Sequence, residues 1–171
     1  YVFLVGWSKA KQQNSFHVRE VNEDGSLSDR TFELETEPAT GQMKSANYSY
    51  SFSPDGSKLL VLTDKPFNKG AKESLRLQVF NTDDFSSIWK KDLTLENESD
   101  RFDGNQIIVD NQGTAFLLKD VRISNKEHVY QLITTGKDFS TLSGIDLQGY
   151  GLGQRKLNID AAGNLLVAGT L

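Results

Sequence analysis

The sequence predicts an all-β protein built from repeated groups of strands, and three observations predict it. The hydrophobic pattern has the period of strands: Tyr48-Ser49-Tyr50-Ser51-Phe52 alternates aromatic residues with serine, and Leu75-Arg76-Leu77-Gln78-Val79 alternates apolar with polar. Alternation of this kind puts every second side chain on one face, as a half-buried strand requires, and no stretch carries helical spacing. Tight-turn dipeptides and tripeptides then punctuate the apolar runs at Asp24-Gly25, Asp55-Gly56, Asn111-Gln112-Gly113 and Ala162-Gly163-Asn164. Finally, two motifs recur in alternation. Asp84-Phe85-Ser86-Ser87-Ile88 returns as Asp138-Phe139-Ser140-Thr141-Leu142, and a turn followed by an apolar strand recurs around Gly56, Gly113 and Gly163.

These motifs repeat at about 50–57 residues, and four strand-like runs within such a period mark a propeller or a related repeat array. The chain divides into units at about 1–41, 42–97, 98–149 and 150–171. In the second unit the strands are expected at residues 48–53, 59–64, 75–81 and 89–95, with a basic loop at 65–74. Unit one supplies the second, third and fourth strands, beginning with Tyr1-Val2-Phe3-Leu4-Val5. Unit three supplies all four, and unit four the first two, ending in Leu165-Leu166-Val167. Short unbroken apolar runs, Leu59-Leu60-Val61-Leu62 and Ala115-Phe116-Leu117-Leu118, suit strands covered on both faces. The expected fold is therefore a set of four-stranded antiparallel β-propeller blades, about three blades' worth, as part of a larger propeller.

The turn residues have structural work to do. Asp55, Asp110 and Asp160 can accept bonds from backbone amides within their own turns, while Gly56, Gly113 and Gly163 take the positive φ such turns need. In the other motif Asp84 and Asp138 cap the turn, and Phe85 and Phe139 are expected to pack against the neighbouring blade. Ser53-Pro54-Asp55-Gly56-Ser57-Lys58 resembles the first turn of TolB-like and WD-repeat-like propellers. The run from Asp160-Ala161-Ala162-Gly163-Asn164 to Gly169-Thr170 is similar to the D-x-x-G-N-x-x-V-x-G-T repeat of bacterial secreted propellers. That resemblance implies a periplasmic, cell-surface or secreted bacterial protein. The Gly-His and Trp-Asp signatures of true WD repeats are absent, which argues against an intracellular scaffold.

Composition narrows the chemistry. With 19 basic and 23 acidic residues the net charge is −4, which offers no electrostatic footprint for nucleic acid. The absence of Cys excludes disulfides, thiolate zinc sites, iron–sulfur clusters and a Cys nucleophile. No apolar run reaches the length of a transmembrane helix. Both chain ends lie in apolar stretches, which reads as a segment of a longer polypeptide whose remaining blades would be its partners. Acids gather at Asn22-Glu23-Asp24 and Asp83-Asp84 without the closing Glu of a calcium loop. His17 and His128 fall on the third strands of different units, and no G-x-S-x-G elbow appears. The sequence thus calls for no metal and no cofactor.

What remains is binding. Lys65, Phe67, Lys69, Arg101, Tyr150 and Arg155 lie in or beside the connections between strands, where a rigid scaffold usually carries its ligands. Trp7 and Trp89, set among strand residues, are expected to pack between blades. The expectation is a non-catalytic module with a protein or glycan partner. The alternative is part of a glycan hydrolase or lyase whose active site needs further blades.

Overall fold

A computed structural model describes residues 1–41, 44–66, 70–98, 102–124, 127–147 and 153–170, with 97–98 and 102–105 described by their backbone. Among these residues there is no α-helix, and the strands are β1 (Val2–Ser8), β2 (Gln13–Val21), β3 (Leu27–Pro38), β4 (Asn47–Phe52), β5 (Lys58–Asp64), β6 (Lys72–Asn81) and β7 (Ser87–Glu98). They continue as β8 (Phe102–Val109), β9 (Ala115–Arg122), β10 (His128–Thr135), β11 (Ser140–Ile145), β12 (Arg155–Ile159) and β13 (Leu165–Gly169). The protein is all-β, with four antiparallel meanders ordered β1-β2-β3, β4-β5-β6-β7, β8-β9-β10-β11 and β12-β13.

The sheets stack face to face, and this explains the unbroken apolar runs. Leu59, Leu60, Val61 and Leu62 of β5 are all 0% exposed because alternate residues enter different cores. Leu59 and Val61 join Phe16, Val18 and Leu34 of the first sheet. Leu60 and Leu62 join Val109, Leu117 and Ile133 of the third. A third core sets Leu118 and Tyr130 against Leu157 of the fourth sheet. Each fully buried Leu or Val contributes about 1.5–3 kcal/mol, so the two four-stranded sheets are held by apolar contact on both faces. The first strands of successive sheets also pack in a row, β4 on β8 and β8 on β12.

The turns joining the first two strands of the second, third and fourth sheets close on a carboxylate by one of two routes, whereas the β10–β11 turn beside Asp138 closes by the Gly136 amide and the Thr135 hydroxyl donating to the Phe139 carbonyl. Asp110 Oδ1 accepts the amides of Gln112 (2.9 Å) and Thr114 (2.7 Å), and Asp160 Oδ1 accepts those of Ala162 (2.9 Å) and Asn164 (2.8 Å). In the second unit Ser53 takes the opening position, and Asp55, two residues on, accepts the Ser53 hydroxyl (2.6 Å) with the amide and hydroxyl of Ser57. Gly56, Gly113 and Gly163 have φ of 73°, 87° and 86°, the left-handed region glycine tolerates best. Consecutive turns are linked as well: the Asp55 amide donates to Asn111 Oδ1 at 3.1 Å.

Two aromatic residues depart from expectation. Phe85 does pack on the preceding sheet, its ring 4.9 Å from Phe32 and 5.2 Å from Tyr1, with a left-handed backbone (φ 55°) aiming it there. Phe139 of the matching motif does not, and is 47% exposed. The reason lies in the facing strand. Phe32 pairs with Val18 on β2, and Lys91 pairs with Leu77 at the corresponding place on β6. Lys91 gives the second turn an ammonium instead of a ring, donating to the carbonyls of Gly136 (2.7 Å) and Phe139 (2.8 Å). Trp89 is buried and its Nε1 donates to the Gly113 carbonyl at 2.8 Å. Trp7, by contrast, is 39% exposed, on β1 at the edge of the first sheet as described.

Candidate functional site

In antiparallel meanders alternate connections fall at the same end. The turns β2–β3, β4–β5, β6–β7, β8–β9, β10–β11 and β12–β13 fall at one end, and the connections β1–β2, β3–β4, β5–β6, β7–β8, β9–β10 and β11–β12 at the other, where residues 39–46, 65–71 and 146–154 form the longest ones. The connections at this second end contain or adjoin every residue singled out for binding. Phe67, Lys69, Arg101 and Tyr150 lie outside the described residues. Lys65 and Arg155 are described, and each is held by a carboxylate.

Lys65 follows β5 and donates to Asp92 Oδ1 at 2.8 Å. Asp92 also accepts from Arg76 Nε at 3.1 Å, and Arg76 reaches across to the first sheet, to Glu35 at 3.1 Å and to Glu37. Lys90 Nζ lies 2.6 Å from the other oxygen of Glu35. Burial opposes the charge on Asp92, yet Lys65 and Arg76 together hold its carboxyl below the ordinary value. Burial first, then the carboxylates of Glu37 and Glu35, push the nearby Tyr48 hydroxyl up; that hydroxyl donates to the Asn14 carbonyl at 3.2 Å.

Arg155 opens β12 and reaches back to Asp120 on β9, which is 4% exposed. The second oxygen of Asp120 lies 2.7 Å from His128 Nδ1, and the guanidinium sits 5.7 Å from the Tyr130 ring centre. Beside this hub is a cleft of about 580 Å³, lined by Gln106, Gln154, Arg155, Lys156, Gly169 and Thr170. The volume falls in the range of small-ligand sites, and the lining offers two cations, two amides and a hydroxyl. Between these two clusters Lys119 and Glu73 pair across the second and third sheets, both side chains buried.

The three sheet-to-sheet interfaces thus share one plan. Each has an apolar core, and each adds a buried or half-buried ion pair: Arg76 with Glu35 and Glu37, Lys119 with Glu73, and Arg155 with Asp120. These three inter-sheet ion pairs lie toward the end that carries the β3–β4, β5–β6 and β11–β12 connections. Sequence reading missed Asp120, Tyr130, Gln106, Gln154, Lys156 and Thr170. The period-2 pattern of β12 could have separated Arg155 from Lys156, but no pattern names the distant acid a cation will meet. His17 and His128 stay apart: His17 Nε2 lies 2.8 Å from Ser15 Oγ on its own strand.

Among the described residues no helix is long and apolar enough to cross a membrane. Compared with known families, curated proteins and solved structures, the chain matches no family model, no curated protein and no solved structure.

Proposed function

We propose that the chain is a segment of β-propeller serving as a non-catalytic binding module of a bacterial cell-envelope or secreted protein, with blades of TolB-like and WD-repeat-like character. What carries the reading is the polarity of the molecule. The apolar cores run along the strands and hold the sheets at a fixed spacing, while the connections carrying the singled-out residues, the ion pairs between sheets and the cleft share one end. A rigid scaffold with chemically varied connections at one end is the usual division of labour in a binding module. Ten of the described acids have structural partners, which supports a non-catalytic role. Asp24, Asp55, Asp84, Asp110 and Asp160 are engaged in their own turns, and Glu35, Glu37, Glu73, Asp92 and Asp120 face cations.

Retention of the chain on purified bacterial cell-wall sacculi tests the proposal. Retention is expected, and is expected to fall on Arg155→Ala with Lys65→Ala, while chromogenic glycosides show no turnover above buffer. Turnover abolished by Asp120→Asn, or absence of any retention, would overturn it.

A further inference from the structure

The cleft beside Arg155 lies where a glycine replaces a side chain. The first rungs of three hairpins are Phe52 with Leu59, Val109 with Ala115, and Ile159 with Leu165. Counted from those rungs, β5, β9 and β13 carry Thr63, Lys119 and Gly169 at one equivalent place, opposite Tyr48, Asn105 and Arg155. Alternation along the strand turns each toward the preceding sheet. Thr63 shares its face with Leu59 and Val61, Lys119 meets Glu73, and Gly169 shares its face with Leu165, in the core with Leu118 and Tyr130. Thr63 and Lys119 fill their interfaces and are 0% and 1% exposed. Gly169 brings no side chain, and it lines the volume of about 580 Å³ at the third interface. Glycine in a strand often marks the close approach of a ligand.

The lining sets the chemistry. Arg155 and Lys156 supply its cations and Gln106 and Gln154 its amides, with no carboxylate among the described lining residues. Asp120, 4% exposed, stands behind Arg155 and is held on its other oxygen by His128 Nδ1 at 2.7 Å. It therefore fixes the guanidinium in place and offsets its charge. Lys156 is exposed and pairs with no carboxylate among the described residues, so the cleft keeps one positive charge. An ammonium and a carboxylate make a strong charge-assisted bond, and a primary amide serves a hydroxyl as donor and acceptor alike. One net charge calls for one carboxylate.

We propose that this cleft holds an acidic monosaccharide unit, a hexuronate, with its carboxylate at Lys156, its hydroxyls on the amides of Gln106 and Gln154, and its ring in the space left at Gly169. The inference rests on the proposed binding role and adds to it the class of ligand and the place that takes it.

Amide chemical-shift mapping of the whole chain, titrated with sodium glucuronate and separately with glucose, tests it. Glucuronate should give saturable shifts at Gln106, Gln154, Lys156 and Gly169, with glucose binding at least about tenfold more weakly for want of the charge-assisted bond. Gly169→Val should abolish the glucuronate shifts by filling the space. Lys156→Gln, at an exposed position where folding is not at stake, should lower glucuronate affinity to that of glucose. No saturable shift with glucuronate, equal affinity for the two sugars, or saturable shifts unaltered by Lys156→Gln would each overturn the proposal. Retention on sacculi is read separately. Retention without glucuronate binding would overturn this assignment and leave the binding module standing, and glucuronate binding without retention would do the reverse.

Discussion

Asp55 shows how much a single turn residue can carry. The Ser53 hydroxyl, then the Ser57 amide and hydroxyl, hold its carboxyl at about 2, against an ordinary value of 3.8. A carboxylate whose pKa is lower folded than unfolded stabilises the fold above its unfolded value and loses that effect as pH falls toward its folded one. Melting temperature should therefore decline between about pH 4 and pH 2, and Asp55→Asn should flatten that part of the curve. A curve of identical shape for the variant would show that the turn does not sense its own charge. Gly113 is sensitive for a different reason. Its φ of 87° strains any side chain, and its carbonyl receives the Trp89 ring, so Gly113→Ala should cost about 1–2 kcal/mol in chemical denaturation. At this scale the sequence was only partly legible. Gly and Asp at turns follow from backbone sterics and can be read locally. The different fates of Phe85 and Phe139 depend on Phe32 and Lys91, far away in the chain, and cannot.

Strands were the most legible elements, because period and burial come from the same pleat. Residues 59–64 and 75–81 fall within β5 and β6, and the aromatic–serine alternation at 48–52 lies in β4. What could not be read was how elements of different sheets meet. Lys119 in β9 looks like an interruption of an apolar run until Glu73 of β6 is placed against it. Burial raises the Glu73 carboxyl above its ordinary value even with Lys119 beside it. Lys119→Met should therefore cost about 3–5 kcal/mol at neutral pH by leaving a buried carboxylate unpaired. Because the folded pKa of that carboxyl exceeds the unfolded one, the loss should shrink as the pH is lowered and Glu73 takes up a proton. Adding Glu73→Leu should recover most of the stability at neutral pH. Denaturation of the two variants at two pH values checks both statements, and an additive double variant would contradict the pairing.

At the scale of the whole molecule, protection should follow the stacking. The second sheet is covered on both faces, so β5 and β6 should exchange their amides most slowly, and β12 and β13, in a sheet of two strands, fastest. Exchange rates of β12 and β13 equal to those of β5 would show a cooperativity that the described contacts do not supply. The order of the meanders was legible because turns and apolar runs repeat with one period. The cleft was not, because Gln106 and Lys156 have no sequence feature that tells them from ordinary surface polar residues. One consequence of the stacking concerns force. Within a sheet, strands are joined by ladders of backbone bonds; between sheets, the described hydrogen bonds all involve a side chain, as the Asp55 amide to Asn111 Oδ1 does. Tension applied between the first and last sheets would therefore part the molecule at its seams, one sheet after another, before any hairpin unzips. The resulting force trace should be a short series of small steps, and its weakest step should be the seam closed by Leu157 and Arg155.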